Sequence, residues 1–136
     1  LVGSEMCIRD RIWANEWKTG NYLPYIPSGR VSHHLTYRFA TLGKVKSLYL
    51  KASHRYVAKQ HRFDPATDLI PYSPDAYHLV GLEAGVTIPL SKRQKIKWLL
   101  SVDNLLDKAY REYTNRFRYY AHDLGRDVRL MMTWEF

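Results

Sequence analysis

The sequence predicts an all-β protein whose strands follow one another as an antiparallel up-and-down meander. Three observations carry this prediction. From Val31 to the C-terminus, apolar and polar residues alternate with a period of two, which is the side-chain period of a strand. Short and long connections between the alternating segments follow each other strictly. Aromatic residues make up 14% of the chain and gather near the ends of the segments.

Five segments carry the alternation, and each has one apolar and one mixed face. The last of them, DVRLMMTWEF, shows the pattern best, because only Met131 interrupts its polar face. A sixth strand is predicted around IWANEWK, residues 12–18. The five segments span residues 31–41, 47–58, 78–90, 95–103 and 127–136.

The connections predict which kind of meander this is. Leu42-Gly43 and residues 91–94 are short turns, whereas residues 19–30, 59–75 and 104–125 are long connections. In a meander all short turns then lie at one end of the sheet and all long loops at the other. Transmembrane β-barrels sort their connections in this way, and they carry aromatic girdles where the strands leave the lipid. Residues suited to such girdles are Tyr37, Phe39, Tyr56, Trp134 and Phe136.

Composition limits the classes of function. The net charge of +8 permits nucleic acid or an anionic membrane surface as a partner. No run of about 18 apolar residues predicts a transmembrane helix, and no signal-peptide pattern begins the chain. Neither a nucleophile with a nearby base nor a pair of acid–base carboxylates stands out, so we expect no enzyme.

No metal or cofactor is predicted. His33 and His34 are consecutive in a strand, so their side chains point to opposite faces and cannot hold one ion together. The polar group of Asp103, Asn104 and Asp107 beside Lys108 is typical of a turn, because Asn and Asp side chains bond to nearby backbone. It also lacks the spacing of a calcium loop.

The last 37 residues, 100–136, resemble the C-terminal end of TonB-dependent outer-membrane receptors. Members of that family leave the penultimate strand through an Asn-Leu-Phe-Asp-Lys-x-Tyr motif, which here reads from Asn104 to Tyr110 with Leu106 in place of Phe. A long loop, then Gly125-Arg126, a last alternating strand and the terminal Phe136 complete the likeness. Residues 22–39 and 77–88 are similar to earlier elements of the same family, and 115–120 resembles a loop of Bacteroidetes-type members.

This resemblance implies that residues 12–136 are the last five to six strands of a 22-stranded barrel, and so an incomplete, open sheet. The implied function is active uptake of a scarce nutrient, such as a ferric siderophore, cobalamin or a glycan, across the bacterial outer membrane. Implied partners are outer-membrane lipid and lipopolysaccharide, the barrel-assembly machinery, and the TonB complex acting through a plug domain that is missing here. No nucleic acid is among them, and the imported ligand stays unidentified.

The resemblance and the alternation together suggest roles for particular side chains. The candidates for contact with ligand are four residues of one predicted extracellular loop, together with the loop 59–75. Candidates for the lumen wall are charged residues on the polar strand faces, and the terminal aromatic pair is similar to an assembly signal, in which a strand edge pairs with the assembly machinery. These are Arg116, Arg118, Tyr119 and Tyr120 for ligand; Arg38, Lys51, Arg55, Glu83 and Arg129 for the lumen; and Trp134 and Phe136 for assembly.

Two other classes of protein remain open. A small soluble β-barrel or sandwich could use Arg and aromatic residues of 116–122 to bind nucleic acid. It would bury its apolar face within the monomer. A complete small outer-membrane barrel would need about eight strands. The receptor hypothesis instead predicts an open sheet with an exposed, continuous apolar face and two unpaired edges.

Residues 1–11, LVGSEMCIRDR, do not continue the pattern. They show no sustained alternation and resemble the translation of a sequencing-library adapter, which should be left out of fold reasoning. On this hypothesis Cys7, the single cysteine, has no biological role.

Overall fold

The structure is a computed structural model, and it describes residues 2–9, 17–23, 25–39, 41–42, 45–66, 68, 72–91 and 93–136. Within these residues, seven strands form one sheet: β1 (Val2–Arg9), β2 (Arg30–Arg38), β3 (Thr41–Leu42), β4 (Val45–Val57), β5 (Tyr77–Pro89), β6 (Lys95–Asp103) and β7 (Asp127–Glu135). A short 3₁₀ helix, Arg116–Tyr119, lies in the last loop. No helix in this described part is long and apolar enough to cross a membrane.

The sheet is an open antiparallel meander, as the alternation predicts. Its order is β1-β2-β4-β5-β6-β7, and β3 pairs only with the start of β4. The five long strands match the five alternating segments to within two residues at their starts. The short link 90–94 joins β5 to β6 at one end of the sheet, called here the short-link end. The long connections 58–76 and 104–126 lie at the other end, the long-loop end.

The N-terminal region differs from its prediction. Residues 2–9 form β1 and pair antiparallel with β2, from Val2 opposite Tyr37 to Arg9 opposite Arg30. The expected strand at 12–18 lies mostly outside the described residues, and Trp17 and Lys18, which are described, lie in a turn. The prediction for these two residues was wrong. Whether residues 1–11 derive from an adapter stays a prediction, because an unpaired strand edge accepts any chain segment that can extend beside it.

The apolar face of the sheet, called here the outward face, is exposed. The strand register aligns its side chains in rows that cross all five long strands. Leu35, Leu82 and Val128 are 50%, 46% and 60% exposed, respectively. One complete row contains Tyr37, Leu50, Ala84, Leu100 and Leu130, and the next contains Leu35, Ala52, Leu82, Val102 and Val128.

Aromatic side chains stand at both ends of the outward face. Tyr37 meets Phe39 edge to face, with ring centroids 4.7 Å apart, and Trp134 meets Phe136 in the same way at 6.0 Å. Both pairs lie at the short-link end, while Tyr56 lies near the long-loop end. Phe39 itself falls just past the end of β2.

The small core lies under the loops and not behind the sheet. Among the described residues the buried hydrophobic side chains are Val57, Tyr77 and Tyr113, which are 3–4% exposed. Val57 ends β4, Tyr77 begins β5, and Tyr113 belongs to the loop after β6. The long loops therefore fold onto the end of the sheet and leave the outward face uncovered.

Candidate functional site: the inward face and its loop layer

The polar face of the sheet, called here the inward face, lines a cleft of about 760 Å³. Four of the five charged residues predicted for the lumen border it: Lys51, Arg55, Glu83 and Arg129. Arg38 lies on the same face of β2 as Ser32 and His34, which border the cleft, but nearer the short-link end. The sheet thus brings these predicted residues onto one surface.

Charges of both signs share the inward face. Arg129 forms ion pairs with Asp103, its neighbour on β6, and with Asp127, where its Nε lies 3.0 Å from Oδ2. Near the short-link end Glu135 pairs with Lys95 at 2.7 Å and also with Lys97. A wall of this kind offers both cations and carboxylates to a polar occupant.

Tyr49 and Gly85 form the tightest contact on this face. The two residues are direct partners between β4 and β5, and the Tyr49 side chain occupies the space that a Cβ of Gly85 would need. The Tyr49 hydroxyl donates a hydrogen bond of 2.8 Å to Glu83 Oε1. A Cβ on Gly85 would overlap the Tyr49 ring, so glycine is required here by space.

The loop after β6 is fixed to the sheet through Glu112. Its carboxylate accepts hydrogen bonds of 2.8 Å from Arg30 of β2 and from the Tyr77 hydroxyl of β5. Asp123, later in the same loop, accepts from the Glu112 backbone N–H and from the Asn115 side chain, both at 2.7 Å. Two carboxylates therefore hold this loop closed on itself and onto two strands.

Asn104 and Asp107 are the turn residues that the sequence predicts. Both have positive φ, 48° and 52°, a region that Asn and Asp tolerate better than most residues. The Asn104 side chain bonds the Lys108 backbone in both directions at 2.9 Å and also reaches the Leu124 carbonyl. Asp107 accepts from the Arg126 backbone N–H at 2.8 Å. In the described part of the chain no group of three or more His, Cys, Asp or Glu is arranged to hold a metal ion.

The four residues predicted to contact ligand separate into two pairs. Arg118 is 2% exposed and forms an ion pair with Asp68, and its guanidinium lies 4.6 Å from the ring centres of both Tyr113 and Tyr119. The Tyr119 hydroxyl donates to Asp68 at 2.8 Å. Burial raises the pKa of Tyr119 to about 12, and hydrogen bonds with Tyr25 and Asp68 act in the same direction. The described residues of the long connections at the long-loop end of the sheet are called here the loop layer. Arg118 and Tyr119 thus form its interior.

Arg116 and Tyr120 are exposed. Arg116 lies over the Tyr25 ring at 5.4 Å, and Tyr120 is 82% exposed. Phe117 beside them is 74% exposed. These side chains lie on the outer surface of the loop after β6, and their contact with a ligand stays a prediction.

Sequence reasoning missed the partners on which this layer depends. Asp68, Tyr25 and Glu112 contact residues between 35 and 94 positions away along the chain.

Sequence reasoning also missed a row of three histidines on the outward face. His54 on β4 contacts His33 on β2 through its Nδ1 at 3.2 Å and His78 on β5 through its Nε2 at 3.0 Å. Their shared face follows from strand parity, but their contact depends on the register between strands.

Comparisons with known proteins do not assign the chain to a family: no family model matches it, and no match was found among curated proteins or solved structures.

Proposed function

We propose that the chain is the C-terminal part of the barrel of a TonB-dependent outer-membrane receptor. Its function would be to form part of the wall through which a scarce nutrient is taken up, and it would carry out no chemical reaction on that cargo. The outward face is the observation that carries the proposal. Uninterrupted apolar rows cross five strands and are exposed, which is costly in water and favourable in lipid.

The loop layer supports the proposal and suggests which end of the sheet would lie outside the cell. Long, internally bonded loops lie at one end and short links at the other, the arrangement of outer-membrane barrels with the long loops outside the cell. Arg116, Phe117 and Tyr120 would then face the exterior and offer the first contacts to a nutrient. The charged inward face would line the lumen, where the plug domain of a whole receptor would sit.

The open sheet has two edges that a longer chain would need to cover. β1 and β7 end the strand order, and Trp134 in β7 and Phe136 just after it are the aromatic residues proposed as the assembly signal. Pairing with further strands would satisfy the backbone groups of these edges, since an unsatisfied backbone group in lipid costs several kcal/mol.

Detergent dependence tests the proposal directly. The purified chain should aggregate in water and become monomeric in detergent micelles, because the outward face would then be covered. A chain that is a stable monomer without detergent would overturn the proposal. If such a monomer also bound single-stranded nucleic acid, the soluble basic module would replace the receptor hypothesis.

Two neighbouring substitutions sharpen the test. Leu100 lies in the middle of the outward face and is 43% exposed, whereas Ser101 follows it on the inward face. In micelles Leu100→Arg should lower the free energy of unfolding by about 2–4 kcal/mol, the cost of a cation near the middle of the lipid. Ser101→Arg should change it by less than about 0.5 kcal/mol. Equal effects would contradict the assignment of the two faces.

A further inference from the structure

Three histidines on the outward face form a continuous hydrogen-bonded row that the receptor hypothesis does not use. His33 and His54 are direct cross-strand partners, and His78 lies one step further along β5. The ring centres are 4.8 Å apart between His33 and His54 and 5.2 Å apart between His54 and His78. Both ring nitrogens of His54 form these contacts, whereas His33 and His78 each use one ring nitrogen. The row therefore has two internal nitrogen–nitrogen contacts and one outer nitrogen on each of His33 and His78.

Counting hydrogens shows how many protons the row can hold. Each internal contact needs one hydrogen, because one nitrogen donates and the other accepts. Each outer nitrogen, on His33 and His78, can carry a hydrogen or not. Three neutral imidazoles bring three hydrogens, whereas the intact row has room for four. One added proton therefore fits without breaking a contact, with His54 donating to both neighbours. A fifth hydrogen would place two donors against each other.

Among the described residues, the outward-facing neighbours of the row on β2, β4 and β5 are uncharged. The next outward-facing row toward the long loops is Val31, Tyr56 and His78, and the next one toward the short links is Leu35, Ala52 and Leu82. The Tyr56 ring lies 4.8 Å from His78.

The nearest charged side chains of the described residues lie elsewhere. By strand parity Arg55 and His34 belong to the inward face, opposite to His33 and His54. Lys59 and Asp75 lie beyond the strand ends and pair with each other at 2.7 Å. On β1, Met6 is the register partner of His33. A proton on the row would thus be a source of charge among the described residues of this face.

The row occupies the boundary between the apolar rows and the long loops. If the outward face contacts lipid, this boundary lies at the level of the outer headgroups, where polar tips reach water and phosphate. We propose that His33, His54 and His78 form a single-proton site whose positive charge attracts an anionic lipid headgroup. The headgroup part rests on the proposed function; the proton count does not.

Nuclear magnetic resonance titration of the imidazole signals tests the proton count. In zwitterionic micelles, lowering the pH should shift the signals of all three rings together as the first proton enters. A second step should follow more than about one pH unit lower, as in coupled titrations. In the variant His54→Gln the two outer rings should titrate separately. Three independent titrations in the parent chain, or unchanged behaviour of the outer rings in the variant, would overturn the proposal.

Adding anionic phospholipid to the micelles tests the partner. The first step of the row should move to higher pH by about half a unit, the effect of a typical anionic surface. His34, next in sequence but on the inward face, is the matched reference and should move less. Equal movement of His34 and the row would overturn the headgroup contact. A monomer that needs no detergent would refute the proposed function instead, and the proton count could then be measured in water.

Discussion

Gly85→Ala should weaken the junction between β4 and β5. The new Cβ would meet three atoms of the Tyr49 ring, with the hydroxyl oxygen at 2.8 Å and the two ring carbons closer. Such contacts cannot be accommodated without moving the ring or the strand. Overpacking of this kind costs about 1–3 kcal/mol. Moving the ring would also break the hydrogen bond from Tyr49 to Glu83, which is worth about 1 kcal/mol at a half-buried site.

The expected loss is therefore about 2–4 kcal/mol in the free energy of unfolding. Urea unfolding in detergent micelles, followed by tryptophan fluorescence, would measure it. The double variant Tyr49→Leu with Gly85→Ala is the control, because a smaller side chain leaves room for the methyl group. Within the Tyr49→Leu background the glycine substitution should cost less than about 1 kcal/mol. A loss below about 0.5 kcal/mol in the parent background would refute the steric reasoning.

Three further predictions concern the loop layer. Arg118→Met should destabilise the chain by about 3–5 kcal/mol and expose the loop to protease, because it removes the guanidinium that neutralises the buried Asp68 carboxylate. The control Arg116→Met should cost less than about 0.5 kcal/mol. Equal cleavage of the two variants would contradict the role of the buried ion pair. Asn104→Ala should lower the free energy of unfolding in urea by about 2–3 kcal/mol, because alanine tolerates the positive φ less well and three side-chain hydrogen bonds are lost. An unchanged midpoint would refute the turn role. Tyr119 has a folded-state pKa of about 12, above that of an unfolded tyrosine near 10, so its contribution to stability should be complete below pH 10 and lost as the pH rises to 12. Tyrosinate absorbance and unfolding measured across this range should show the loss, and Tyr119→Phe should reduce it.

The strands could be predicted because their signal is local. Each long strand carries its own alternation, as in the last segment from Val128 to Trp134, and no distant partner is needed to recognise it. The placement of Lys51, Arg55 and Glu83 on one face follows from parity alone. The turn role of Asn104 is equally local, since its side chain accepts from the Lys108 backbone N–H four residues on. The contact of Asp107 with Arg126, 19 residues away, is not local.

Features that depend on pairing between distant segments could not be predicted. Arg118 and Tyr119 resemble ligand contacts in the sequence, but Asp68, 50 and 51 residues away, turns them into a buried cluster. His33 and His54 meet only because β2 and β4 adopt one register. The pairing of β1 with β2 likewise depends on the register between distant segments, from Val2 opposite Tyr37 to Arg9 opposite Arg30.

The strictly sequential order of the sheet has a consequence for how the strands come together. Each long strand pairs with the next one in the chain, so pairing can proceed hairpin by hairpin. Closing residues 90–94 between β5 and β6 costs less chain entropy than closing residues 104–126 between β6 and β7, by about 1.4 kcal/mol from the logarithm of loop length. We expect the β5–β6 hairpin to form before the last strand joins, since β7 can join only once the loop around Glu112 and Asp123 has closed. Pulsed hydrogen exchange during refolding would show early protection in β5 and β6, and simultaneous protection of β7 would contradict this order.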